Sequence, residues 1–148
     1  MAYAQYFAGN FSQTMPNASI TDTTPPAGGA INSIANNNDG SILVGWPAAI
    51  DSTPPIRYQV FIQQATATDL FLSTNRVYEG PGASISIYRD ASALPIISGV
   101  TYYAGVRAVD AVGNVNTNTT SLSVTATGIS YSNLQSLISG LKGLILIK

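Results

Sequence analysis

Between residues 30 and 127, segment after segment of this chain places an apolar side chain at every second position. Residues 41–46 put Ile42, Val44 and Trp46 on one side and Ser41, Leu43 and Gly45 on the other. Residues 57–64 alternate in the same way, with Tyr58, Val60 and Ile62 inward and Gln59, Phe61 and Gln63 outward. Residues 101–110 set Tyr102, Ala104, Val106 and Ala108 on one face. A period of two sends successive side chains to opposite faces of an extended strand, so each segment buries one face and must find a partner surface for it. Shorter segments at 30–34, 84–88 (Ile85 and Ile87) and 121–127 (Leu122, Val124 and Ala126), with an extended stretch at 70–78, bring the number of expected strands to seven. Residues that tolerate left-handed or sharply bent backbone separate them: Asn36, Asn37, Asn38, Asp39 and Gly40; Glu79, Gly80, Pro81 and Gly82; Gly113 and Asn114. With little helical periodicity in between, the pattern predicts an all-β sandwich.

The two ends of the chain follow other rules. The run Thr23-Thr24-Pro25-Pro26-Ala27-Gly28-Gly29 is a boundary, where paired prolines stiffen the chain and glycines then let it turn. It divides the chain into an N-terminal aromatic arm at 1–23, a sandwich at 24–127 and a C-terminal extension at 128–148. The arm carries Tyr3, Tyr6, Phe7 and Phe11, with Tyr3, Phe7 and Phe11 four residues apart. It is expected either to dock its aromatic side chains on a neighbouring subunit or to fold back on its own sandwich. In the extension, Leu134, Leu137, Ile138 and Leu141 fall at helical spacing behind Ser132 or Asn133 as a cap, and Gly140 and Gly143 are expected to end the helix. Leu144, Ile145, Leu146 and Ile147 then form a β-prone run. The segment from Leu134 onward is broken by Lys142 and is shorter than the roughly 20 residues a membrane span needs. Left in water, such a run is an aggregation hazard. It must therefore be covered, either by the chain's own sandwich or, as the favoured expectation, by another subunit.

Composition excludes several functions. Histidine and cysteine are absent, which removes Ser-His-Asp and Cys-His catalysis, ordinary zinc sites and the commonest general base. The carboxylates Asp22, Asp39, Asp51, Asp69, Glu79, Asp90 and Asp110 fall mostly in predicted turns and suggest no facing pair across a cleft. Asp51 and Asp110 sit in loops that can share one pole of the sandwich, but two carboxylates are few for calcium, and turn capping is the expected role. No enzyme, cofactor or metal is expected. The net charge is −1, and six scattered lysines and arginines form no basic stripe for nucleic acid. Charged residues make up only 9% of the chain, against roughly 25% in a typical soluble domain, so little repulsion keeps copies apart. The start of the chain, Met1-Ala2-Tyr3-Ala4-Gln5-Tyr6-Phe7, has no basic region and no long apolar core, so no Sec-type signal peptide is expected.

The middle of the chain resembles the fibronectin type III family of Ig-like domains. Thr24-Pro25-Pro26 is similar to the family's opening, Trp46 stands where it keeps a buried tryptophan, and Tyr58-Gln59-Val60-Phe61 matches its third strand. The segment from Ile96 to Tyr102 is similar to its leucine–glycine–tyrosine corner, with Ser98 where the family often has proline. The stretch from Val106 to Asn114 is similar to its sixth strand and following turn. The resemblance implies a seven-stranded Ig-like sandwich with Trp46 between the sheets and the Tyr102 hydroxyl bonded to backbone just upstream. It says little about function, since this architecture carries many roles.

Low charge, hydrophobic extensions and an extracellular-type module with no export signal lead to one expectation. The chain is a non-catalytic structural protein of a bacteriophage virion, in the capsid decoration, head-fibre or tail-associated class. Its partners are other virion proteins and copies of itself, held through the two extensions, with host-surface carbohydrate as a further partner. The alternative is a carbohydrate-binding or adhesion module of a secreted or cell-surface protein. For that role the loops at 47–55 and 110–118 lack aromatic residues, leaving Phe61, Tyr88 and Tyr103 on the sheet faces as platforms.

Overall fold

In the computed structural model, residues 22–37, 39–129 and 131–145 are described. The described residues are mostly antiparallel β-structure followed by one helix. In order, the elements are β1 (Ala27–Gly28), β2 (Ser33–Asn36), β3 (Ile42–Gly45), β4 (Ala49–Ile50), β5 (Arg57–Gln64), a 3-10 turn at Ser73–Asn75, β6 (Arg76–Gly80), β7 (Ser84–Ile87), β8 (Thr101–Val109), β9 (Ser121–Thr125) and α1 (Tyr131–Ile145). One sheet has the order β2-β3-β7, a second the order β6-β5-β8-β9, and β1 with β4 makes a separate two-stranded ladder.

The alternation read from the sequence decides which faces meet. Ile42, Val44 and Trp46 come from the three-stranded side. Tyr58, Val60, Ile62, Tyr102, Ala104, Val106 and Ala108 come from the four-stranded side. All belong to one buried core, while Leu43 points to solvent. Trp46 lies tilted on Tyr58 with ring centres 5.5 Å apart, and its indole N–H donates to the Gly82 carbonyl at 3.0 Å. The two buried tyrosines also place their polar ends. Tyr58 accepts the Ala49 N–H at 2.8 Å, and Tyr102 accepts the Ile97 N–H, five residues upstream, at 3.0 Å. Burying a ring while giving its hydroxyl a backbone partner avoids the cost of an unsatisfied polar group.

Three expectations need correction. The stretch at 70–78 is not extended throughout: residues 67–75 turn and coil through the 3-10 segment before β6 begins at Arg76. Its consecutive apolar residues Leu70, Phe71 and Leu72 have no strand period, and they fold back over the outer face of the four-stranded sheet. Phe61, expected to lie open on that face, is therefore only 3% exposed and packs edge-on with Phe71, ring centres 5.3 Å apart. Finally, α1 runs through Gly140 and Gly143 to Ile145, so Leu144 and Ile145 continue a helix and not a β-prone run. Each glycine costs about 1 kcal/mol against alanine, which weakens a helix without ending it.

The Trp46 and Tyr102 contacts differ in kind, and urea unfolding separates them. Trp46→Ala empties the centre of the core and is expected to cost about 3–5 kcal/mol. Tyr102→Phe keeps the ring and removes one hydrogen bond to Ile97, costing about 1 kcal/mol.

Candidate functional site

Among the described residues, three places draw attention for their chemistry. The first is the stripe on α1. Leu134, Leu137, Ile138 and Leu141 occupy positions i, i+3, i+4 and i+7 and therefore one face. They are 45%, 58%, 43% and 59% exposed. Leu137 and Ser136 share a shallow groove of about 320 Å³ with Ile129 and Asp39, which leaves the leucine mostly uncovered. Of the other residues expected to bind partners, Leu144 and Ile145 lie on the last turn of α1. Leu146, Ile147, Tyr3, Tyr6, Phe7 and Phe11 lie outside the described residues. No helix among the described residues is long and apolar enough to cross a membrane.

The second place is the loop pole, where the carboxylates of Asp22, Asp51 and Asp110 come within 4.8 Å of one another. The sequence pairs Asp51 with Asp110 through their loops. Asp22 carries no such signal, because it precedes the proline boundary and is brought in only by tertiary contacts. Asp110 is fully buried, and its Oδ1 accepts the N–H groups of Val112, Gly113 and Asn114 at 2.9, 2.7 and 2.9 Å. Its Oδ2 accepts from the Asn114 side chain at 2.7 Å. That side chain also donates to the Asp22 carbonyl. Asp22 in turn takes the Thr53 hydroxyl and the Thr24 N–H, and Asp51 takes the Thr53 N–H. One oxygen from each of the three carboxylates makes a set of hard oxygens of the kind a cation such as calcium takes, although calcium takes 6–8 oxygens. The hydrogen bonds by themselves tie the chain entering the sandwich to two of its loops.

The electrostatics of these acids follow from their donors. Burial pushes the Asp110 carboxyl up, but the hydrogen bonds from Asn114, Gly113 and Val112 outweigh it and hold it below its ordinary value. The Thr53 hydroxyl and Thr24 N–H lower Asp22. The Ser41 hydroxyl and N–H, with Tyr88, lower Asp39. The same Asp39 raises the Tyr88 phenol.

The third place is a groove of about 460 Å³ on the outer face of the four-stranded sheet, lined by Asp69, Leu70, Phe71, Arg107, Thr119 and Ser121 among others. Phe71 sits on Gly105, where an added Cβ would stand 2.5 Å from the ring, so only glycine admits it there. The Arg107 guanidinium lies 4.3 Å over the Phe71 ring. This arrangement escapes sequence analysis: Arg107 reads as an ordinary outward residue of β8, and its neighbour Phe71 comes from a loop. Of the three aromatic platforms expected for sugar, Phe61 is buried, Tyr103 is half-buried and Tyr88 is exposed. Tyr88 is also bonded to Asp39 at 2.8 Å.

No protein-family model matches this chain, and no curated protein matches it.

Lowered carboxylate pKa values give a signed prediction. Asp22, Asp39 and Asp110 contribute stability that is complete above the unfolded value of about 3.9 and is lost as pH falls through their lower folded values. Thermal unfolding is expected to be nearly constant between about pH 7 and 5 and to move to lower temperature below about pH 4. Asp110→Asn should lower the melting temperature at neutral pH and flatten the acid limb.

Proposed function

We propose that this protein is a non-catalytic structural component of a bacteriophage virion, held to neighbouring subunits by its extensions. It displays an Ig-like sandwich of the fibronectin type III kind. The three-stranded and four-stranded sheets with orders β2-β3-β7 and β6-β5-β8-β9, and the Tyr102–Ile97 bond, support the type III reading. The observation that carries the assembly role is α1. Isolated helices shorter than about 12–15 residues are marginal in water even when rich in alanine. This helix has 15 residues, two of them glycine, and one charged residue, Lys142. It lacks the i,i+4 charge pairs that support solitary helices. Its stability must come from packing an apolar face, and that face is exposed on the single chain. Positions 134, 137, 138, 141, 144 and 145 repeat with a seven-residue period, the spacing by which helices pack against one another.

The face therefore closes on copies of the same helix, with other virion proteins as further neighbours. The sandwich, whose core is complete without α1, supplies the rigid body that projects from the assembly. Sedimentation of the purified full chain tests this directly. The expected result is a concentration-dependent oligomer at micromolar protein that becomes a monomer with Leu137→Asp and Leu141→Asp together, while the unfolding transition of the sandwich stays in place. A full chain that sediments as a monomer throughout, unchanged by the double substitution, would count against the proposal.

A further inference from the structure

Among the described residues, Arg107 is a cation that takes part in no ion pair. The ion pairs among the described residues are Arg57–Glu79 and Arg76–Glu79, and neither includes it. Its Nε donates to the Asn118 carbonyl at 3.1 Å, and Asn118 is itself pinned by donating to the Val106 carbonyl at 2.9 Å. The planar group is thus fixed in orientation from one end and backed by the Phe71 ring. Its terminal nitrogens have no hydrogen-bond or ion-pair partner among the described residues. Burial also lowers its pKa, so the charge is partly desolvated where it stands. A guanidinium held this way presents a fork of donors that matches a carboxylate in bidentate geometry.

The rest of the groove narrows the ligand. Thr119 and Ser121 bring hydroxyls, Asp69 brings an acceptor-only carboxylate, and the exposed Leu72 brings an apolar wall. Asp69 repels a polyacidic peptide but accepts hydrogen bonds from the hydroxyls of a polyol. The volume of about 460 Å³ lies inside the range of small-molecule sites, roughly 300–1,000 Å³. We infer that this groove binds a carboxylate-bearing sugar. The carboxylate is taken by Arg107, the ring hydroxyls by Asp69, Thr119 and Ser121, and the C–H face of the ring lies against Leu72. The groove shares no residue with α1, so the inference stands or falls separately from the assembly role.

The test is a titration of the isotope-labelled full chain, followed by amide chemical shifts, with methyl glucuronide, methyl glucoside and a short glutamate-rich peptide. Methyl glucuronide is expected to move the amides of Phe71, Arg107, Thr119 and Ser121 in a saturable way, with the glucoside at least about tenfold weaker. Arg107→Gln should lose that preference. Arg107→Lys, which keeps the charge and loses the fork, should weaken glucuronide binding while leaving the spectrum folded. Equal binding of glucoside and glucuronide, tighter binding of the peptide than of either sugar, or no saturable shift in the groove would each overturn the inference.

Discussion

Tyr58, Val60 and Ile62 face Ala108, Val106 and Ala104 across the ladder between β5 and β8, and this register fixes nearly everything else in the sandwich. On one side of the ladder those residues meet Trp46, Val44 and Ile42 from the opposite sheet. On the other side the same register sets Phe61 against Gly105 and Gln59 against Arg107. A slip of one residue would turn the core outward and bury the arginine, so burial of one face enforces the arrangement of the other. The outer groove is therefore a by-product of the core. Gly105 leaves room for Phe71, Phe71 covers Phe61, and Arg107 comes to rest on the ring that results.

Much of the core was legible in the sequence because period-two alternation is a local signal with one physical cause. Residues 57–64 form β5 with the expected bounds, and the inward residues Ile42, Val44, Trp46, Tyr102, Ala104, Val106 and Ala108 are all buried. The bond from Tyr102 to backbone upstream is also present, as the type III resemblance implied. What stayed hidden depends on contacts between segments distant in the chain. The segment at 67–75 has three apolar residues in a row and no period to say which surface it will cover. Asp22 reaches the loop pole through Thr53 and Asn114, 31 and 92 residues away. Gly140 and Gly143 are helix breakers by propensity alone, yet the apolar stripe continues through them, and the helix follows the stripe.

The sandwich and the helix solve the burial problem in opposite ways. The sheets close on each other within the chain, leaving their tyrosine hydroxyls and the indole N–H with backbone partners. The helix keeps Leu134, Leu137 and Leu141 open, and few charges surround them to favour a solitary state. Under the proposed assembly role, the sandwich is the body that stands alone and the helix the element completed by a neighbour, a division of labour suited to a subunit of a larger structure.

Hydrogen exchange measured across a range of protein concentrations tests this division most directly. Amides of β5 and β8 should be protected at every concentration, whereas those of α1 should be protected in concentrated solution and exchange freely on dilution. Protection of α1 that does not change with concentration would contradict the account, because the helix would then be stable without a second subunit.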